Sequence, residues 1–161
     1  MAELLPFVDV CIANDEDAPF GLGMTCVSGS LEHGIEERES YIEMAREICA
    51  RHGCSKVASV IRDVQSVEES RWMAMLYDAA SGRHWFSAPH DVHVLEGVAA
   101  GDAFNAGLLH ALIHGFPPQD AINYAIAASV LKLSIRGDAN LVTEEEINAV
   151  ACAGAGTCVA R

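Results

Sequence analysis

The sequence predicts an α/β layer fold with a partly parallel sheet. Three observations carry that expectation. An apolar strand at 8–14, an amphipathic helix at 35–52 and a second apolar strand at 56–63 follow one another. Strand–helix–strand order is what parallel pairing needs, because a crossover must span the sheet. Two further β-rich runs, 71–78 and 83–88, flank a turn around Ser81 and Gly82 and read as a hairpin. Closely packed helices then complete the chain and need a layer to rest on. No linker, repeat or low-complexity block interrupts residues 1–161, so a single α/β domain is expected.

Each element has its own signal. "VDVCIAN" (8–14) is apolar and β-branched and ends in polar residues, as a buried strand does. Residues 15–34 hold Pro19 and several glycines and read as a loop with room for a helical turn. In 35–52, Ile35, Tyr41, Ile42, Ala45, Ile48 and Cys49 recur at helical spacing, and the glutamates take the solvated side. Gly53 stops that helix. "KVASVIRD" (56–63) is the next buried strand, and "HDVHVLEG" (90–97) leads into the following helix. That helix carries Phe104, Leu108, Leu109, Leu112 and Ile113 and is expected to be buried nearly all round. "PPQDAINYAIAASVLKLS" (117–134) starts on proline and is alanine-rich, which predicts a tightly packed helix. In "TEEEINAV" (143–150), Thr143 and Glu146 form a capping box.

Composition excludes several function classes. The 161 residues are 51% hydrophobic and 20% charged, which describes a folded globular chain. A formal net charge of −13 argues against a nonspecific nucleic-acid binder, though not against a bound nucleotide. No apolar run reaches the ~18 residues of a membrane span. The start has no basic n-region or long apolar segment, so a cytoplasmic location is expected. The six cysteines form no C-x-x-C and are expected to be reduced and structural.

The run "GVAAGDAFNAGLLHAL" (97–112) concentrates the chemistry. Gly97, Ala99, Ala100 and Gly101 are too small to cover their backbone, and they deliver Asp102 to a helix start. An uncluttered helix N-terminus is a place for an anion to dock. A helix-start carboxylate alone would be commonplace; the small residues around this one single it out. His110 and His114 stand four apart, but no Glu follows His110 and no third ligand is apparent, so packing is the expected role. His90 and His93 are read the same way. "AGAGT" (153–157) follows a helix instead of a strand and lacks the Gly-Lys ending of a phosphate loop, which makes it a tail.

"AAGDAFNAGLLHAL" resembles the Gly-Ala-Gly-Asp signature of the ribokinase-like (PfkB) carbohydrate kinases. "PFVDVCIANDEDA" is similar to the family's strand ending in an Asn-x-x-acid motif, here Asn14 to Asp17. "IRDVQSVEESRWMAMLYD" and "SIRGDANLVTEEEI" look most like the 2-dehydro-3-deoxygluconate kinase branch. The resemblance implies a ribokinase-like layered sheet with flanking helices and corresponds to the C-terminal half of such a kinase. The N-terminal sugar-binding half and lid are expected to be absent.

By resemblance, Asp102 is the general base toward a sugar hydroxyl, and Ala99, Ala100, Gly101 and the Asp102 N–H form an anion hole for ATP. Arg62, Ala128, Gly137 and Asn140 are implied nucleotide contacts. Asn14 and Asp17 would order Mg²⁺ through water, and Glu96 would lie near a monovalent cation. Read from the residues alone, Arg62 suits an ion pair as well as a phosphate, and Asn14 with Asp17 suits a turn. The implied partners are ATP, a small sugar or sugar acid, and a second copy or a complementing N-terminal half. Three positions depart from the pattern: Ala99 replaces the first glycine, Glu96 an Asp, and Gly97 a Thr or Arg. The expected function is an ATP-dependent sugar kinase in half-length form, poorly active alone. The alternative is a noncatalytic remnant that folds and self-associates.

Overall fold

The computed structural model describes residues 3–14, 17–24 and 34–154. The expected tail at 153–157 lies largely outside them. Among the described residues five strands form one sheet: β1 (Val10–Ile12), β2 (Lys56–Val64), β3 (Glu69–Asp78), β4 (Arg83–Phe86) and β5 (His90–His93). β1 pairs parallel with β2, and β2 pairs antiparallel with β3. β4 and β5 share the far edge of β3, opposite Met75 to Asp78 and Glu69 to Trp72 respectively. Between them the Ser87 N–H donates to the Ala74 carbonyl, and the Ser87 Oγ accepts the Ala74 N–H, both at 2.9 Å. The hydroxyl thus fills a ladder position the backbone leaves open. Residues 90–93, read from sequence only as a lead-in, are a strand because β3 runs on past β4 and offers them its edge.

Both faces of β2 and β3 are covered, which explains their nearly continuous apolar sequence. Val57, Ile61, Met73, Met75 and Tyr77 face α2 (Arg38–His52), where they meet Tyr41, Met44, Ala45 and Ile48. Ala58, Val60, Trp72, Ala74 and Leu76 face α3 (Ala100–Ile113) and α4 (Pro118–Lys132). The period of two along each strand therefore sorts side chains between two cores. α2 ends as expected: Gly53 is left-handed at φ 81° and its N–H bonds Cys49 O at 2.9 Å. The region 15–34 does contain a short helix, α1 (Asp17–Leu22). α5 (Glu144–Gly154) opens on the expected capping box, with Thr143 N–H on Glu146 Oε2 at 2.7 Å and Glu146 N–H on Thr143 Oγ1 at 3.3 Å.

α4 is buried along its whole length from 121 to 130, and its alanines let α3 approach closely. α3 itself is not buried all round. Ala100, Ala103, Phe104, Gly107, Leu108 and Ala111 make one buried face, while Leu109 is 47% and Ile113 79% exposed. The apolar count of the helix exceeds what the sheet and α4 can cover from one side. Cys11, Cys49 and Cys54 cluster behind β1 and α2. Burial pushes the Cys11 and Cys49 thiols up to about 11, so at neutral pH they stay protonated and inert.

Candidate active site

The head of α3 is shaped by what its sequence lacks. No Ser, Thr, Asn or Asp stands at the N-cap; Ala99 does, at φ 61° and ψ 11°, and no side chain caps the helix. Ala103 N–H returns to Ala99 O at 2.9 Å, and Ala100 N–H reaches Gly97 O only at 3.5 Å. The N–H groups of Gly101 and Asp102 have no acceptor among the described residues. Uncapped first-turn donors, backed by the helix dipole, favour an anion. The turn is held from behind: Ser129 Oγ on α4 donates to Ala100 O at 2.9 Å in a buried bond.

Asp102 is exposed and makes no hydrogen bond or ion pair among the described residues. A carboxylate serving as cap would accept a first-turn N–H of its own helix; this one does not. It stands beside free donors with its oxygens uncommitted, which is the condition for taking a proton from a neighbouring hydroxyl.

Two crevices flank this turn. The first, about 140 Å³, is lined by Asn14, Arg62, Trp72, Gly97, Ala100 and Gly101. Arg62 reaches it because the strand period puts 58, 60 and 62 on the α3 face. Its register partner across β2 and β3 is Trp72, and the guanidinium lies 5.6 Å over that ring. Stacking fixes the group in place without neutralising it. Of the two roles open to Arg62, the ion pair is not formed with any described carboxylate. Asn14 lies just past β1, where its Oδ1 accepts Val60 N–H at 3.2 Å.

The second crevice, about 260 Å³, lies between α3, α4 and α5, with Ala103, Gly107, His110, Tyr124, Ala128 and Asn140 among its walls. Ala128 and Asn140 thus both wall this crevice, and Asn140 Nδ2 lies 3.5 Å from Ala128 O. His110 is stacked on His114 at 4.2 Å and on Tyr124 at 5.3 Å. Packing holds that pair, as the sequence suggested, but His110 also forms a wall of the crevice.

Other expected residues lie apart. Asp17 Oδ2 accepts Asn14 N–H at 3.0 Å and Asp17 N–H returns to Asn14 O at 3.1 Å, so the two do build a turn. Asp17 lines a separate hollow of about 600 Å³ with Leu5, Val8 and Cys11. Gly137, at φ 85°, gives its N–H to Glu96 Oε2 at 2.9 Å. Neither lines a crevice at α3. Another hollow, about 400 Å³ between α4 and α5, contains none of the free α3 donors. No local sequence signal marks Trp72, His110 or Tyr124 as walls of these crevices. Their place follows from strand register and helix crossing, which no local pattern reveals.

The family model "pfkB family carbohydrate kinase" matches residues 1–145. A solved 2-dehydro-3-deoxygluconokinase from Thermotoga maritima superposes with a TM-score of 0.83 at 33% identity, covering 92% of this chain and 43% of that one. A solved PfkB family carbohydrate kinase from Listeria grayi gives 0.75 at 26% identity, covering 93% and 43%. The 2-dehydro-3-deoxygalactonokinase of Haloferax volcanii is 32% identical over 77 residues, which is 45% of this chain and 24% of that protein. The chain therefore spans less than half the length of these relatives.

Proposed function

Because the chain belongs to the pfkB family of carbohydrate kinases and has the ribokinase-like fold, we propose that it is the nucleotide-binding, base-bearing part of an ATP-dependent sugar kinase. The acceptor is a hydroxyl of a sugar acid such as 2-dehydro-3-deoxygluconate, and the setting is cytoplasmic. One observation carries the reading. The N–H groups of Gly101 and Asp102 and the Asp102 carboxylate, none with a partner among the described residues, stand at one helix head between two crevices.

In this reading the crevice walled by Ala128, Asn140, His110 and Tyr124 takes the base of ATP. The first turn of α3 takes the phosphates, with Ala99, Ala100 and Gly101 offering backbone only. Charge spreads over the phosphoryl oxygens in transfer, and fixed donors stabilise it without reorganising. Arg62, held over Trp72, adds a positive charge from the sheet side. Asp102 accepts the proton as the sugar oxygen bonds to the γ-phosphorus and the bond to the β-phosphate oxygen breaks, releasing ADP. Mg²⁺, when bound with the nucleotide, neutralises phosphate charge. Asn14 Oδ1 and Asp17 Oδ2 are already engaged by the N–H groups of Val60 and Asn14, which suits holding the ion through water and not directly.

The sugar must be held and shielded from water by something beyond these two crevices. A second copy or a complementing N-terminal half is the proposed partner, and self-association of the chain is expected by light scattering. A noncatalytic role is favoured by one observation, the left-handed Ala99, which strains the turn that should meet phosphate.

The test joins the chain to the N-terminal part of the Thermotoga maritima kinase and measures ADP release with 2-dehydro-3-deoxygluconate. The joined protein should turn over and the chain alone should not. Asp102→Asn should lower turnover by about 10²-fold or more while leaving Mg·ATP affinity equal or slightly tighter. If no nucleotide binds wild type and Asp102→Asn unfolds the chain, the kinase reading fails.

A further inference from the structure

Lys132 ends α4 with its side chain fully buried. Its Nζ donates to Ile135 O at 3.0 Å, and no described carboxylate lies in ion-pair range of it. A buried ammonium without a counter-carboxylate is costly unless local dipoles match it. Here the dipole in contact is the Ile135 carbonyl, and the residue sits in the last turn of α4, where the helix dipole favours a positive charge.

The turn around that charge is where the approach to the active helix docks. Leu95 and Glu96 both donate their N–H groups to Leu133 O, at 2.9 and 3.1 Å. Glu96 Oε2 accepts the Gly137 N–H at 2.9 Å. Ile135 N–H returns to Lys132 O at 3.0 Å while Ile135 O receives the ammonium. Lys132 therefore lies under the join between residues 95–96, which lead into Gly97 and Ala99, and the turn 132–137.

A monovalent cation near Glu96 would need free oxygens at this join. Leu133 O already accepts two N–H groups, Ile135 O holds the lysine and Glu96 Oε2 holds Gly137, which leaves Glu96 Oε1 among these oxygens. One carboxylate oxygen is too few to replace the hydration shell of such an ion, so the residues present do not fit it, and one positive charge is already built in. We infer that Lys132 is a tethered substitute for a monovalent cation at this join, making the turn at 97–102 independent of potassium. It touches no ligand and acts as a positioning residue. Its bearing on nucleotide binding rests on the kinase reading above, whereas the unliganded chain tests the charge by itself.

Thermal unfolding of the unliganded chain would be followed in potassium, sodium or tetramethylammonium chloride at equal ionic strength. Wild type should melt at one temperature in all three. Lys132→Ala should melt lower by roughly 5 °C or more, and potassium or ammonium should restore part of the loss where tetramethylammonium does not. Lys132→Met, which keeps the stem and fills the space, should melt lower in every salt alike. Selective stabilisation of wild type by potassium would overturn the inference, as would a loss in Lys132→Ala that no small cation relieves. Should Lys132→Ala not fold, the wild-type series and Lys132→Met still decide: a methionine variant as stable as wild type sinks the idea. No nucleotide enters these measurements, so a chain that never binds ATP leaves their outcome intact.

Discussion

Gly101 and Gly107 lie within two turns of one helix, yet a Cβ at the first would meet nothing within 4 Å. At Gly107 it would lie 3.1 Å from both Ala125 Cα and Ala128 Cβ. The first glycine leaves backbone donors open to the outside; the second lets two helices touch. One residue type thus serves binding at the head of α3 and packing at its middle. What separates the two is only whether α4 stands opposite.

The sharpest way to break that contrast is to add bulk at each. Gly107→Val places branched carbon against the α4 backbone, which cannot give way, and should cost about 1–3 kcal/mol or more in urea unfolding. Gly101→Val should leave the urea midpoint nearly unchanged, within about 0.5 kcal/mol. It should nevertheless weaken Mg·ATP binding by about tenfold or more, read by calorimetry, because its methyls cover the free N–H groups. If both variants lose stability equally, the head of α3 is packed in solution and the contrast is false.

Two smaller changes sharpen it. Ser129→Ala removes the buried hydroxyl that ties Ala100 O to α4 and should cost about 0.5–1.5 kcal/mol in the same unfolding experiment. Ala99→Gly relieves the left-handed backbone at φ 61° and should stabilise the chain by up to about 1 kcal/mol, the greater freedom of glycine in the unfolded chain offsetting part of the gain. A destabilised Ala99→Gly would mean that residue 99 does not hold this conformation.

Local signals were legible wherever one stretch of chain satisfies its own requirements. Gly53 as a helix stop, the Thr143–Glu146 box and the strand at Lys56–Val64 depend on neighbours in sequence. Asp102 and its small approach were visible for the same reason, since a run of glycine and alanine before an acid exposes backbone in any fold. The strand at His90–His93 was not, because it exists only where β3 extends past β4. Nor was the exposed face of α3: Leu109 and Ile113 look like core until one sees that, among the described residues, the helix is covered on one face.

From its sequence alone the chain determined its family, its two-faced sheet strands and the acid at a bare helix head. These follow from periodicity and from residue types whose effect is local. The tertiary structure alone decided that Arg62 would stack on Trp72, that Ala128 and Asn140 would share a crevice with His110, and that Glu96 would bond Gly137. Each of those pairs joins different elements of the fold, and which atoms meet is set by strand register and helix crossing, quantities that no short stretch of sequence contains.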